Sequence, residues 1–402
     1  MSSAGIYQVG AATVDITPAL DKPVYLAGFA PNRKARSVLH PLTAGVMVVK
    51  DEDGGLLALI TLDLIGFMNP FVQRIKIGLE GVIPADRIVV ASTHTHAGPD
   101  TMGLWGKTIL GFIPVKSGVD PDYIDLVVHK VVQGVHQAIK ESVPVSLSAV
   151  TFDAPEHLVR NDRKGGGSYP RSVALIASQK DSPEVLLLNF AAHPETLWQK
   201  NHQVSPDYPA CYREHLKELG VETPLFFSGP LGAMLTPNVN PKATLDEREQ
   251  YINEMGRELA EHVFKQISRA EPLSGPIKVA HKKLSMLNTN GRFNLARKFK
   301  IFERDIVDNR IESEMVLGSI GSFRFTTIPG EPCPEVGDAL YEALGEGHRM
   351  IFALGMDEVG YIIPSDFFSI KEYKYETTMS LGPHMASEMV DNVKALLQEL
   401  PE

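Results

Sequence analysis

The chain has 402 residues, 44% of them hydrophobic and 22% charged, with a formal net charge of −10. That is ordinary globular composition, with enough apolar residues to bury a large core without a staple. The acidic balance speaks against nucleic acid as a partner, since a phosphate-binding face needs concentrated Lys and Arg.

The first strand is expected over residues 9–16, closed by Pro18. Residues 23–29 lead into the basic cluster Arg33-Lys34-Ala35-Arg36, which reads as a solvated loop. A strand over 43–50, a turn at 51–55 and a partner strand over 56–63 form a hairpin pattern. Residues 70–79 look helical, and so do 121–141, where Ile124, Val127, Val128, Val131, Val135 and Ile139 recur at helical spacing. Strand-like runs follow at 143–152 and 185–190, with a flexible Gly-rich loop, Lys164-Gly165-Gly166-Gly167-Ser168, between them. It is not a P-loop, because no Gly-Lys-Ser/Thr follows the glycines. Helices are expected at 209–219 and 245–267, strands at 277–287 and 314–329, and a closing helix over 380–400, starting there or near Met385. The alternation is irregular. It predicts one large α/β domain with a mixed β-sheet core, or two packed sheets, flanked by helices.

Cys211 and Cys333 are the only cysteines, too few for a disulfide framework and without a Cys-x-x-Cys motif. The N-terminus has no basic n-region or apolar h-region, so no signal peptide is read there. The longest apolar stretch, 56–67, is broken by Thr61 and Asp63 and is too short to span a bilayer. A cytoplasmic protein with no transmembrane segment is the expectation.

The chemistry is concentrated at the ends of β-runs. Ser92-Thr93-His94-Thr95-His96-Ala97-Gly98-Pro99 follows the β-branched run 87–91. In extended backbone, residues i and i+2 share a side, so His94 and His96 would face one cavity at the carboxyl edge of a sheet. A polar loop with two solvated histidines is the plainer alternative. His193-Pro194 ends a second apolar run, and Glu331 sits between prolines after a third. A fourth, 351–355, leads to Asp357, Glu358, Gly360 and Tyr361. Two or three His with one carboxylate is the ligand set of a catalytic zinc site. Such an ion lowers the pKa of a bound water from about 15.7 to roughly 7. No Gly-x-Ser-x-Gly elbow and no His-Glu-x-x-His helix competes.

Taken in order, these motifs resemble the neutral/alkaline non-lysosomal ceramidase family, in its N-terminal catalytic domain. The resemblance rests on residues 10–18, on His40-Pro41-Leu42-Thr43-Ala44, on Ser92 to Pro99, and on Phe190-Ala191-Ala192-His193. It continues through Thr236-Pro237-Asn238, Pro329-Gly330-Glu331, Gly360-Tyr361 and Tyr375-Glu376. It implies a single catalytic domain over residues 1–402 without the C-terminal β-sandwich of longer members. It implies one Zn2+ per chain held by His94, His193, Glu331 and Tyr361. It gives His96 to the substrate's oxyanion or to proton transfer, Tyr375 to the scissile carbonyl, and an arginine to the site, Arg163 in preference to Arg160. The implied reaction is hydrolysis of an N-acyl amide, ceramide-like or another small-molecule or lipid-like amide, by metal-activated water. Thr236 stands where the family has Ser. A zinc esterase or lactonase on the same site, or a non-catalytic binding protein of the same fold, are the competing readings. Asp63, Asp100 and Asp207 are candidates to orient the imidazoles, or simply caps and turn residues.

Overall fold

The computed structural model describes residues 6–109, 113–163, 171–180, 182–302 and 304–401. The Gly-rich loop at 164–168 lies outside the described residues, as does the extreme N-terminus.

The expected mixed α/β architecture is present as two packed sheets with helices on their outer faces. The larger sheet has nine strands, eight of them in a continuous path. That path runs Thr223–Ser228, Ser182–Phe190, Arg171–Gln179, Val143–Asp153, Ile6–Asp15, Thr43–Lys50, Leu56–Leu62 and Ile88–Ser92. Its interior pairs are antiparallel. At each edge the last pair is parallel, and a helix makes the crossover: Asn69–Gly78 at one edge, Tyr208–Glu218 at the other.

The two edges do not stay apart. The sheet curls until the Thr61 hydroxyl donates to the Phe226 carbonyl at 2.6 Å and the Ser228 hydroxyl donates to the Thr93 carbonyl at 2.8 Å. Gly45 permits this approach, since a Cβ there would lie 2.5 Å from Leu225 Cδ2. A segment of the smaller sheet closes the seam. The Ala353 amide donates to Ser228 O at 3.0 Å, and Met356 donates to Val90 O at 2.7 Å. Asn189, buried in an otherwise apolar strand, spends its side-chain amide on Phe227 O and Ile351 O at 3.2 and 3.0 Å. The curl therefore brings the ends of strands that are distant in sheet order to one place.

The smaller sheet comprises Ile277–Leu287, Arg310–Ile320, Phe323–Thr327 and His348–Phe352. It packs on the larger one through rings: Phe227 to Phe352 at 4.5 Å between centroids, Phe352 to Phe325 at 5.4 Å. Helices Pro334–Ala343 and Met385–Glu399 pack into one apolar cluster with this sheet.

Helix Pro121–Lys140 starts at Asp120, whose carboxylate accepts from the Asp122 amide. Its apolar stripe, Ile124, Val127, Val131, Val135 and Ala138, is buried on the sheet. Each such side chain contributes about 1.5–3 kcal/mol for the larger residues. Gly10 lets the helix lie close, because a Cβ would fall 1.7 Å from Ala138 O. On the opposite face, Leu245–Gln266 opens with a Thr244/Glu247 capping box. Both cysteines are buried and free, as their sparse number implied.

Four of the larger elements escaped the sequence reading: the strands Arg171–Gln179 and Thr223–Ser228 and the helices Gly291–Lys298 and Pro334–Ala343. The basic cluster is solvated at Lys34 and Arg36, as expected, but not at Arg33. Arg33 is only 5% exposed, and it donates to four backbone carbonyls, those of Ala27, His96, Trp198 and Asn201. Among the described residues no helix is long and apolar enough to cross a membrane.

Candidate metal centre

Four strand ends meet where the curled sheet closes. Ile88–Ser92 continues through Thr93 and His94, whose amides donate to Leu62 O and Leu64 O at 2.8 and 2.9 Å. His94 then turns the chain with φ of 69°, a left-handed conformation that costs a non-glycine residue roughly 1–3 kcal/mol. Strain of that size persists only where the surroundings fix the residue, and here they do. Its Nδ1 lies 2.5 Å from the Ile65 carbonyl. A carbonyl only accepts, so Nδ1 carries the proton and Nε2 presents a lone pair.

His193 is held in the same way. Its amide and its Nδ1 both donate to Leu235 O, at 2.9 and 2.8 Å, again leaving Nε2 as an acceptor. The backbone amide of His96 donates to Pro194 O at 3.0 Å, tying the two histidine loops together.

Glu331 and Tyr361 arrive as a pair. Glu331–Pro332 and Tyr361–Ile362 form a short parallel ladder in which Glu331 is the register partner of Tyr361. Register partners put their side chains on one face. Two glycines make this possible: a Cβ on Gly330 would lie 2.4 Å from Gly360 O, and one on Gly360 (φ 91°) 1.8 Å from Met379 O. Gly360→Ala is accordingly expected to lower stability by more than about 2 kcal/mol and to displace Tyr361 from its place beside Glu331, a loss that thermal unfolding measures.

The outcome is a buried cluster. His94 Nε2 and His193 Nε2 lie 3.4 and 3.2 Å from the same carboxylate oxygen, Glu331 Oε2. A ring nitrogen from each of His94, His96 and His193 lies within 4.8 Å of the others. Two lone pairs and a carboxylate oxygen thus converge with no proton donor between them. Without a cation, a proton has to sit between the carboxylate and the imidazoles. Burial opposes charge on His193, yet Glu331, Glu195 and the Leu235 carbonyl together raise its pKa. Burial likewise pushes against ionised Glu331, but His94 and His193 pull it down to about 2. A divalent cation satisfies all three acceptors at once, and N/O donors of this kind suit zinc. Tyr361 completes the enclosure at 5% exposure. Burial, and then Glu331, Tyr375, Glu195 and Glu376, hold its hydroxyl well above the usual phenol value. Only a nearby cation reverses that balance.

No family model and no curated protein matches this sequence. The three-dimensional comparison is different. A crystal structure of neutral ceramidase from Pseudomonas aeruginosa superposes with a TM-score of 0.81 at 16% identity, over 100% of this chain and 76% of that one. A ceramidase complexed with C2 gives the same score and identity over 99% of this chain and 76% of its own. The chain has the neutral ceramidase fold. The motif resemblance drawn from sequence is thereby supported at the level of fold.

Around the ceramidase-fold cluster lies a cavity of about 40 Å3 lined by His94, His96, Glu331, Tyr361, Tyr375 and Glu358, with Trp105 and Phe293 on its apolar side. Tyr375 is 49% exposed at its edge, its ring 5.9 Å from that of Tyr361. Desolvation, then Glu331, Glu195 and Glu376, push its hydroxyl up to about 12.

The two arginine candidates separate. Arg163 Nε pairs with the buried Glu376, next to Tyr375, at 2.5 Å. Arg160 instead donates to the carbonyls of Pro237 and Val239 and pairs with Asp162. Asp63, Asp100 and Asp207 turn out not to bond the imidazoles in the described hydrogen bonds. Asp63 takes Arg213 and Thr43, Asp100 gathers the amides of Met102, Gly103 and Trp105, and Asp207 caps helix Tyr208–Glu218. Trp105 lines the cavity, whereas Trp198 packs against Phe29 and Arg248.

One carboxylate went unnoticed in the sequence. Glu195, two residues past His193, places Oε2 3.3 Å from His96 Nδ1. Burial raises its pKa against the pull of His193 and the Thr236 hydroxyl. His96 itself is pushed well down by burial, His94, His193 and Arg33. Glu358, only noted in passing in its motif, is also buried in the cavity wall. Its Oε1 accepts from the Gly360 amide at 2.6 Å, and Oε2 has no hydrogen-bond partner among the described residues.

Proposed function

We propose that this chain is a zinc-dependent hydrolase that cleaves the amide bond of an N-acyl substrate. The observation that carries the reading is the convergence of two Nε2 lone pairs on the Glu331 carboxylate without a donor between them. His94, His193, Glu331 and Tyr361 are the residues that would hold the ion. A bound zinc supplies Lewis-acid polarisation of the acyl carbonyl and a water acidic enough to attack near neutral pH.

The chain's own groups supply the rest. Glu195 favours the Nδ1–H tautomer of His96 and leaves Nε2 for the cavity. In that state His96 accepts the proton of the attacking water and returns it to the departing nitrogen as the C–N bond breaks and the C–O bond forms. Glu195 stabilises the transient imidazolium, as a buried carboxylate does for histidine in hydrolytic triads. Tyr375, kept protonated at neutral pH, donates toward charge developing on the carbonyl oxygen. Arg163 fixes the Tyr375–Glu376 segment through its ion pair.

The fold shared with ceramidases supports an N-acyl amide as the substrate class. The cavity is polar where His94, His96, Glu331 and Tyr361 meet and apolar along Trp105, Phe293 and Phe302, and it opens past the half-exposed Tyr375.

The test is metal analysis joined to a substrate panel. Protein stripped by chelator and reloaded with zinc is expected to bind about one equivalent and to hydrolyse N-acyl amides faster than matched esters. Faster ester turnover would reassign the bond. No bound metal together with no turnover would overturn the reading.

A further inference from the structure

The segment that walls one side of the cavity has a second face. Phe293 and Phe302 point inward: both line the cavity, stacked with centroids 5.3 Å apart. Between them, on helix Gly291–Lys298 and its C-terminal cap, Leu295 and Phe299 point outward at 55% and 64% exposure. They are four residues apart, so they form one ridge on the helix. At 100° per residue the ridge is flanked by Arg292 on one side and Lys298 on the other, both exposed, with exposed Lys300 just beyond. Arg297 pairs with Asp305 at 3.3 Å. Among the described residues no carboxylate pairs with Arg292, Lys298 or Lys300.

This arrangement runs against the rest of the molecule. The chain as a whole carries −10, yet here cations surround two exposed apolar side chains. The ridge is also fixed to the mouth of the site. The side chain of Asn290, which caps the helix, donates to Thr378 O and Ser380 O at 2.9 Å each, in the segment that carries Tyr375.

We propose that the Leu295/Phe299 ridge docks on an anionic lipid surface. Leu295 and Phe299 enter the headgroup–acyl boundary. Arg292, Lys298 and Lys300 reach lipid phosphates, their alkyl stems lying along the apolar surface. A protein partner fits less well, because two side chains make too small an apolar core for a stable interface, whereas flanking cations suit a field of anionic headgroups. Docked in this way, the chain presents its cavity mouth to the layer where N-acyl lipids carry their amides. The docking itself does not require that the site hydrolyse anything.

Co-sedimentation of the zinc-loaded full chain with vesicles tests this. One set contains phosphatidylcholine alone, the other phosphatidylcholine mixed with phosphatidylserine. The mixed vesicles are expected to bind at least about tenfold more tightly, with the advantage shrinking as salt rises. Lys298→Glu/Lys300→Glu and, separately, Leu295→Ser/Phe299→Ser are each expected to lose about tenfold in vesicle affinity. Zinc content and turnover of a short, water-soluble amide should stay at wild-type levels in both. Equal binding to the two vesicle types, no binding at low salt, or wild-type vesicle affinity in both variants would overturn the proposal. Loss of soluble-amide turnover in the wild type would count against the hydrolase reading instead, and leave the vesicle result to stand on its own.

Discussion

Glu331→Gln is expected to empty the metal centre and lower amide hydrolysis by at least about a thousandfold, with the fold intact. The reasoning begins from what the carboxylate faces. His94 and His193 each donate Nδ1–H to a carbonyl and turn Nε2 toward Glu331 Oε2. The glutamine amide has the same shape, but its NH2 donates to those lone pairs. It thereby does the cation's work without the cation's charge. The metal-free variant should melt no lower than the metal-free wild type, while zinc bound per chain falls toward zero. Acid should mimic the substitution in the wild type. As pH falls, protons compete for His193 Nε2, whose pKa Glu331 and Glu195 raise against the pull of burial, and metal is released. Metal content against pH, followed beside unfolding temperature, checks both. Full zinc occupancy in the Gln variant would remove Glu331 from the ligand set.

The reach of the sequence can be judged from these same residues. His193, Glu331 and Tyr361 stood out beside Gly or Pro after apolar runs, and His94 beside His96 past a β-branched run, but the set of four was named through the family resemblance. Their meeting point was not legible. It depends on a sheet curled until its two edges touch, and on Asn189, Thr61 and Ser228 spending their polar groups across the seam. No local periodicity encodes that. Arg33 was misread for a related reason. A run of three cations in four residues looks solvated, and only the folded chain shows four carbonyls waiting for one guanidinium. The Arg171–Gln179 strand was missed although its centre is apolar, because its ends, Arg171-Ser172 and Ser178-Gln179, blur the alternation. Glu195 had one available signal: a carboxylate two residues beyond a candidate ligand histidine, past a proline. That spacing becomes informative only when His96 is known to sit opposite.

Glu195 is where the second large effect is expected. Glu195→Gln should lower kcat by about ten- to a hundredfold while KM and zinc content stay within about twofold of wild type. The carboxylate lies against His96 Nδ1 at 3.3 Å, and among the described residues neither ring nitrogen makes a hydrogen bond. Burial, His94, His193 and Arg33 all oppose a positive charge on that ring. Glu195 is therefore the nearby group able to stabilise the imidazolium when His96 carries a proton in transit. The amide of Gln keeps the size of the carboxylate, but it cannot offset the charge. His96→Ala removes the proton carrier outright and should cost about a hundred- to a thousandfold in kcat. The decisive measurement is the double variant. If Glu195 acts through His96, adding Glu195→Gln to His96→Ala changes kcat no further, and the two losses fail to multiply. Independent, multiplying losses would instead place Glu195 on the substrate or on the metal ligands, and the proton path would need another residue.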